Sequence, residues 1–378
     1  MLDTTLKNKL IDIAKSTEKE RNWIQQNRCL PDTIVQDLKA TGIFKVWVAK
    51  AYGGLQGHVL DLMEAVQTLT YYNGSLGWVL GVTGTAGLGS GYLPKSAAKT
   101  IYGAPDSLTG GWAVPAGLAK TVAGGLEVSG RWSWGSGIKY CTHIVGGVLI
   151  QRPGEKRPIS GLVYFEPEEV TFIDNWHVLG LHGSNSIDYE ANRVFIPNER
   201  WIPFPVQQAQ LSDTLYQFSF LGALSTGVAS VGLGLAKRAI NEIITYCQRK
   251  APIGSGKKLA ERAIIHEKVA RMQGQYQAAK AYLESAVQKS WEAAATQTTS
   301  EVNKSELRLA SAFAVTQSEA VVQQAYKIAG GTAVWQGNKL QELLQDMHMV
   351  TQHAMVSANN YETVGRVTFG QKVNPALL

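Results

Sequence analysis

The chain has 378 residues, 45% of them hydrophobic and 17% charged, with a formal net charge of +6 from 36 Lys and Arg against 30 Asp and Glu. That length exceeds one typical core, so two or three packed units are expected, and the basic residues are too scattered, with only a short run at Arg249 and Lys250, to follow a nucleic-acid backbone. Cys29, Cys141 and Cys247 are an odd number without CxxC spacing, which excludes a disulfide framework and a cysteine zinc site and fits a reduced, cytoplasmic compartment; no secretory apolar core and no stretch near the about 20 apolar residues of a membrane span is seen.

Residues 1–106 are predicted to be mainly helical. IVQDLKATGIF places apolar residues at helical spacing after a Pro31-Asp32 start, and the pattern resumes from Leu60 to Tyr72 after AYGGLQG. From 107 to 204 Gly and Pro become frequent, and short apolar runs, IVGGVLI at 144–150, ISGLVYF at 159–165 and RVFI at 193–196, are divided by turn formers. This predicts a β-barrel or sandwich of six to eight strands. After Pro203 and Pro205 the helical period returns: Val228, Val231, Leu235, Ile240, Ile243, Ile244 and Cys247 mark one stripe, and further helices are expected over Leu259–Thr296, Ser305–Ala329 and Lys339 to about Val364. Residues 205–378 therefore read as a four-helix bundle, and the fold class as an α+β multidomain chain.

The stretch that concentrates chemistry is LEVSGRWSWGSG. As a regular strand it places Trp132, Trp134 and Ser136 on one face, and Gly135 and Gly137 allow a planar ligand to approach the backbone closely. Plain core packing of the two tryptophans suits the same pattern.

GRWSWGSGIKYCTHIV resembles the flavin-contacting strand of the acyl-CoA dehydrogenase superfamily. GLHGSNSIDYEANRVFIP (180–197), AYKIAGGTAVWQGNKL and LLQDMHMVTQH follow in the family's order. The resemblance implies that Trp134 shields the isoalloxazine, that Ser136 hydrogen-bonds flavin N5 with Gly137 beside it, that Ser184 or Ser186 contacts flavin or pyrophosphate, and that Gly330 and Gly331 form a phosphate-contacting loop. From the residues alone, His182–Ser186 also reads as a turn and Gly330-Gly331 as a helix ending.

Within that family the commonest dehydrogenases carry a glutamate base eight residues after an Asp of the last helix. Counting from Asp346 reaches Ala354, which accepts no proton, and the family's Arg-x-x-Phe-Gly element is replaced by CQRKAPIGSGKK. A helical step of about 100° instead aligns Asp346, His353, Ser357 and Asn360 along one face, a polar stripe that suits either a lined cavity or a solvent-facing edge. The pattern resembles the two-component flavin-dependent aromatic monooxygenases of this fold. The resemblance implies an oxygenase component that takes FADH2 or FMNH2 from a separate NAD(P)H:flavin reductase and uses O2, through a flavin C4a-hydroperoxide, to hydroxylate a small phenol- or indole-type compound. In that scheme Ser136, His353 and Asp346 are catalytic, Trp112 and Trp134 exclude water, and Thr83, Thr85 and Ser357 line the substrate pocket. A homotetramer or homodimer, without nucleic acid or membrane, is expected. The alternatives are an acyl-CoA dehydrogenase with a relocated base and a catalytically silent ligand-binding relative. The histidines show no HxxxH or HxH spacing, so no metal centre is expected, and there is no GxSxG elbow or P-loop.

Overall fold

The computed structural model describes residues 2–155, 157–204 and 209–374; Pro205, one of the two prolines expected to mark a boundary, lies outside them. Six helices come first: α1 (Thr4–Ser16), α2 (Arg21–Asn27), α3 (Asp32–Ala40), α4 (Val59–Tyr72), α5 (Gly74–Ala86) and α6 (Lys95–Tyr102). Local signals set their starts. His58 caps α4 by accepting the Leu60 N–H on Nδ1 at 3.0 Å while Asp61 accepts the His58 N–H at 2.8 Å, and Asn73 caps α5 through the Leu76 N–H at 3.0 Å.

Seven strands follow: β1 (Thr109–Val122), β2 (Gly125–Gly135), β3 (His143–Gln151), β4 (Ile159–Phe165), β5 (Thr171–Ile173), β6 (Ile187–Pro197) and β7 (Trp201–Pro203). They form one sheet in the order β5-β6-β2-β1-β3-β4-β7, in which only β1 and β3 run parallel. The three apolar runs read from the sequence are the inner parts of β3, β4 and β6.

The C-terminal part comprises α7 (Thr214–Gln217), α8 (Phe220–Arg249), α9 (Ala263–Ala295), α10 (Glu301–Ala329), α11 (Lys339–Thr351) and α12 (Asn359–Thr368). By length and composition α8 could cross a bilayer, but 78% of that apolar window is buried inside the protein, so it is the central helix of the bundle. The single last helix expected from Lys339 to about Val364 is two helices joined by a non-helical connector, residues 352–358. Side chains there take over backbone groups: His353 Nδ1 accepts the Met355 N–H at 3.2 Å, and Asn360 Nδ2 donates to the carbonyls of Ala354 and Ser357 at 3.0 and 2.8 Å. Such local bonds compete with the helical ladder. The common helical face drawn through Asp346, His353, Ser357 and Asn360 is therefore overturned.

The N-terminal helices are clamped onto the bundle. α5 crosses α8 where two glycines meet: a Cβ on Gly227 would stand 2.9 Å from the Gly81 carbonyl oxygen. Arg238 of α8 pairs with Glu18 at 3.0 Å and Glu242 at 2.7 Å. Valine at 227 should force the helices apart and cost about 1–3 kcal/mol, seen as a lower urea midpoint. Gly274→Ala, at a helical position with open space around it, should instead stabilise by about 0.5–1 kcal/mol; equal effects of the two would discount the crossing.

Candidate active site

The end of β2 does not stay regular. Trp132 pairs with Tyr189 of β6, but the next pair is Gly135 with Ile187, so three steps on β2 oppose two on β6 and the strand bulges. Trp134 sits in the bulge with φ +60, a left-handed conformation that costs free energy for a bulky residue and tends to be kept where function needs it. The bulge separates the two tryptophans expected on one face. Trp132 is fully buried, stacked on Tyr189 with ring centroids 5.3 Å apart, its Nε1 donating to the Gly147 carbonyl at 2.7 Å. Trp134 is 57% exposed and packs edge-to-face with Trp112, 5.2 Å between centroids. Trp132 is core; Trp134 presents its indole outward.

Beyond the bulge the chain turns at Gly137, φ +66, whose N–H donates to the Ser184 carbonyl at 2.9 Å and whose Cβ, if it had one, would lie 2.9 Å from Val79 Cγ1. This joins β2 to the 182–186 segment, itself bent by left-handed Leu181 and Asn185. Ser136, Ser184 and Ser186 are all buried. Trp78 of α5 donates its Nε1–H to Ser136 Oγ at 2.9 Å, Ser136 and Ser186 share a bond of 2.7 Å, and Ser186 and Ser184 one of 2.8 Å. Three hydroxyl protons serve two hydroxyl–hydroxyl bonds, so one proton is left to donate outward. An exposed indole beside a buried serine cluster that has one proton to spare suits a planar ring with polar edge atoms, and on that ground the residues fit an isoalloxazine.

Trp78 also carries the site to the connector. Its ring lies edge-on to His353, 5.6 Å between centroids. Burial, and then the charge of Arg308, hold the His353 imidazole down to about 4, so the ring is neutral at pH 7. Because Nδ1 accepts the Met355 N–H, the neutral ring carries its proton on Nε2 and acts there as a donor.

The remaining residues singled out in the sequence stand apart. Asp346 is buried and accepts the Leu181 N–H at 2.6 Å; burial, then the charge of Glu342, raise its pKa. It lines a separate cavity of ≈ 280 Å³ with Arg21, Ser75, His182 and Glu342, and its hydrogen bond makes it an anchor for the 181–186 segment. Thr83 and Thr85 are buried, their hydroxyls donating to the Val79 and Val82 carbonyls within α5 at 2.7 and 2.6 Å. Ser357 bonds the Ala354 carbonyl at 3.3 Å. Gly330, φ +62, and Gly331 end α10 on the exposed surface. Among the described residues no group of three His, Cys, Asp or Glu is placed to hold a metal ion. Trp78 and Arg308 were missed: Trp78 lies in a helix without charged residues, flanked by Gly77 and Val79 with nothing to mark it, whereas Arg308, a charge between Leu307 and Leu309, carried a readable signal.

Residues 226–358 match the family model of the acyl-CoA dehydrogenase C-terminal domain. The chain is similar to an indole-3-acetate monooxygenase of Pseudomonas putida, 26% identical over 93% of this chain and 90% of the relative, and to the oxygenase component of an FADH(2)-dependent resorcinol hydroxylase of Rhizobium sp., 25% identical over 68% and 66%. The solved structure of XiaF from Streptomyces sp., in complex with FADH2 and glycerol, superposes with a TM-score of 0.92 at 21% identity, covering 98% of this chain and 96% of that one.

One of the seven histidines, His353, should keep the Nε2–H neutral signature in imidazole NMR until the pH nears 4. Its folded pKa lies below the ordinary 6.5, so its contribution to stability is full above 6.5 and is lost as pH falls toward 4. His353→Gln should accordingly resist acid unfolding better than the parent over that window; titration of all seven near 6.5 would refute the buried, neutral assignment.

Proposed function

We propose that this chain, which has the acyl-CoA dehydrogenase fold, is the oxygenase component of a two-component flavin-dependent monooxygenase acting on a small phenol- or indole-type aromatic. The observation that carries this reading is the hydrogen-bonded line from Trp78 through Ser136, two residues from the exposed, left-handed Trp134, to Ser186 and Ser184, with a neutral histidine packed on Trp78. The names of the relatives, a monooxygenase and an FADH(2)-dependent hydroxylase, support it. A separate flavin reductase is the partner such a component requires, and a cytoplasmic homotetramer or homodimer suits the three free cysteines and the exposed Val334, Trp335 and Phe369.

Reduced flavin, FADH2 by likeness to the relatives, supplies when bound the electrons and the ring at which O2 reacts. Trp134 would cover one face of that ring, with Trp112 propping the indole from its edge. The spare serine proton would be donated to a polar edge atom, and because Trp78 already fills one acceptor site of Ser136, the hydroxyl is oriented before the ligand arrives. His353 would donate Nε2–H to a polar atom on the aromatic substrate and hold the ring in position for the reaction. The glutamate base of the commonest dehydrogenases would fall at Ala354, which stands exposed and accepts no proton.

The test is a single-turnover reaction with chemically reduced FADH2, ¹⁸O₂ and a panel of phenols and indoles. Incorporation of one ¹⁸O into an aromatic product supports the oxygenase; oxidation of the flavin at its free rate with every compound sinks it. Ser136→Ala should still bind FADH2 but divert electrons, raising hydrogen peroxide and lowering aromatic product by on the order of tenfold.

A further inference from the structure

We propose that Arg308 is the counter-ion for a carboxylate on the substrate, so that this chain selects an aromatic acid over its neutral counterpart. The proposal rests on the oxygenase reading and names the substrate class of the same site.

Arg308 lies on α10 between small and apolar residues and is 4% exposed. A guanidinium carries five N–H donors in a rigid fork. In this structure Nη2 donates to Asn360 Oδ1 and Nη1 reaches the thioether of Met355 at 2.9 Å, while Nε, buried, has no partner among the described residues. Among the described residues no carboxylate forms an ion pair with it. Burial draws its pKa down to about 10, so it stays charged at pH 7. A charge taken out of water is costly unless it is paired, and a thioether is a weak acceptor for a cation. The side chain thus has the donors of a carboxylate site and lacks the carboxylate.

Its position says where the anion would come from. Arg308 Nη1 reaches Met355 Sδ at 2.9 Å, and the Met355 N–H donates to His353 Nδ1 at 3.2 Å, so Arg308 and His353 meet at one residue of the connector. His353 packs on Trp78, and Trp78 bonds Ser136. Arg308 therefore stands at the bundle end of the line whose sheet end carries the serine hydroxyls. A substrate with its ring beside Trp78 and His353 and a short acid arm would place the arm on Arg308. Two acceptors that now hold the fork, Met355 Sδ and Asn360 Oδ1, come from the non-helical connector or the helix start just after it, so exchanging the sulfur for a carboxylate disturbs no helical hydrogen bond. The names of the relatives do not decide this, since indole-3-acetate is an acid and resorcinol is not.

The experiment is calorimetric titration of the flavin-free protein with matched pairs: benzoate and benzamide, 4-hydroxyphenylacetate and its amide, indole-3-acetate and its amide. At least one acid should bind about 10- to 100-fold more tightly than its amide, the range for a hydrogen bond to a desolvated charge. Arg308→Gln should bring that pair within about twofold while leaving amide affinity unchanged, and Met355→Leu should preserve the preference. If Arg308→Gln fails to fold, the acid preference of the parent, retained in Met355→Leu, still decides. No acid preference in any pair overturns the proposal. Inorganic phosphate binding that is lost in Arg308→Gln, without acid preference, would overturn it in favour of a small inorganic anion. FADH2 binding is measured in parallel: acid preference without flavin binding would fell the oxygenase reading and keep the anion site, whereas ¹⁸O incorporation without acid preference would do the reverse.

Discussion

Trp78 is a helix residue whose indole N–H is spent on a strand, and most of the site follows from that one bond. By donating to Ser136 Oγ at 2.9 Å it ties α5 to the bulged end of β2 and leaves Ser136 to bond Ser186, which bonds Ser184. A buried indole N–H needs a partner, so α5 cannot shift along the sheet without leaving a donor unpaired at a cost of about 1–3 kcal/mol. The same ring packs against His353. One side chain thus aligns the sheet, an N-terminal helix and the connector between α11 and α12.

The rest of the architecture holds α5 where this bond can form. Gly81 and Gly227 let α5 and α8 approach at backbone distance, closer than any side chain would allow. Asp346 holds the Leu181 N–H at 2.6 Å, which pins the 181–186 segment and with it two of the three serines. Its raised pKa, caused by burial and then Glu342, is the electrostatic consequence of that anchoring.

The connector shows how a short break changes chemistry. Had α11 run on as one helix, His353 would have spent no side-chain acceptor on the backbone. The break turns Nδ1 toward the Met355 N–H and leaves Nε2–H as the ring's donor, converting a residue of ambiguous role into a hydrogen-bond donor. It also brings Met355 and Asn360 to Arg308.

Periodicity and motif order were enough to read the helical, β and helical succession, the core runs of β3, β4 and β6, and the concentration of chemistry between Gly130 and Gly137, because these depend on neighbours a few residues apart. The sequence also pointed to His353, Ser136, Ser184 and Ser186 through a likeness whose motifs lie in one order along the chain. Only the tertiary structure decided that Trp132 and Trp134 part company, since a bulge depends on the register of β6 against β2, and that the last helix breaks, since capping side chains there outcompete the ladder. It alone brought together Trp78, Ser136, His353 and Arg308, four residues from distant parts of the chain. The physical reason is one of range: periodicity reports which face of an element is buried, whereas which polar atom meets which is settled only when distant elements pack.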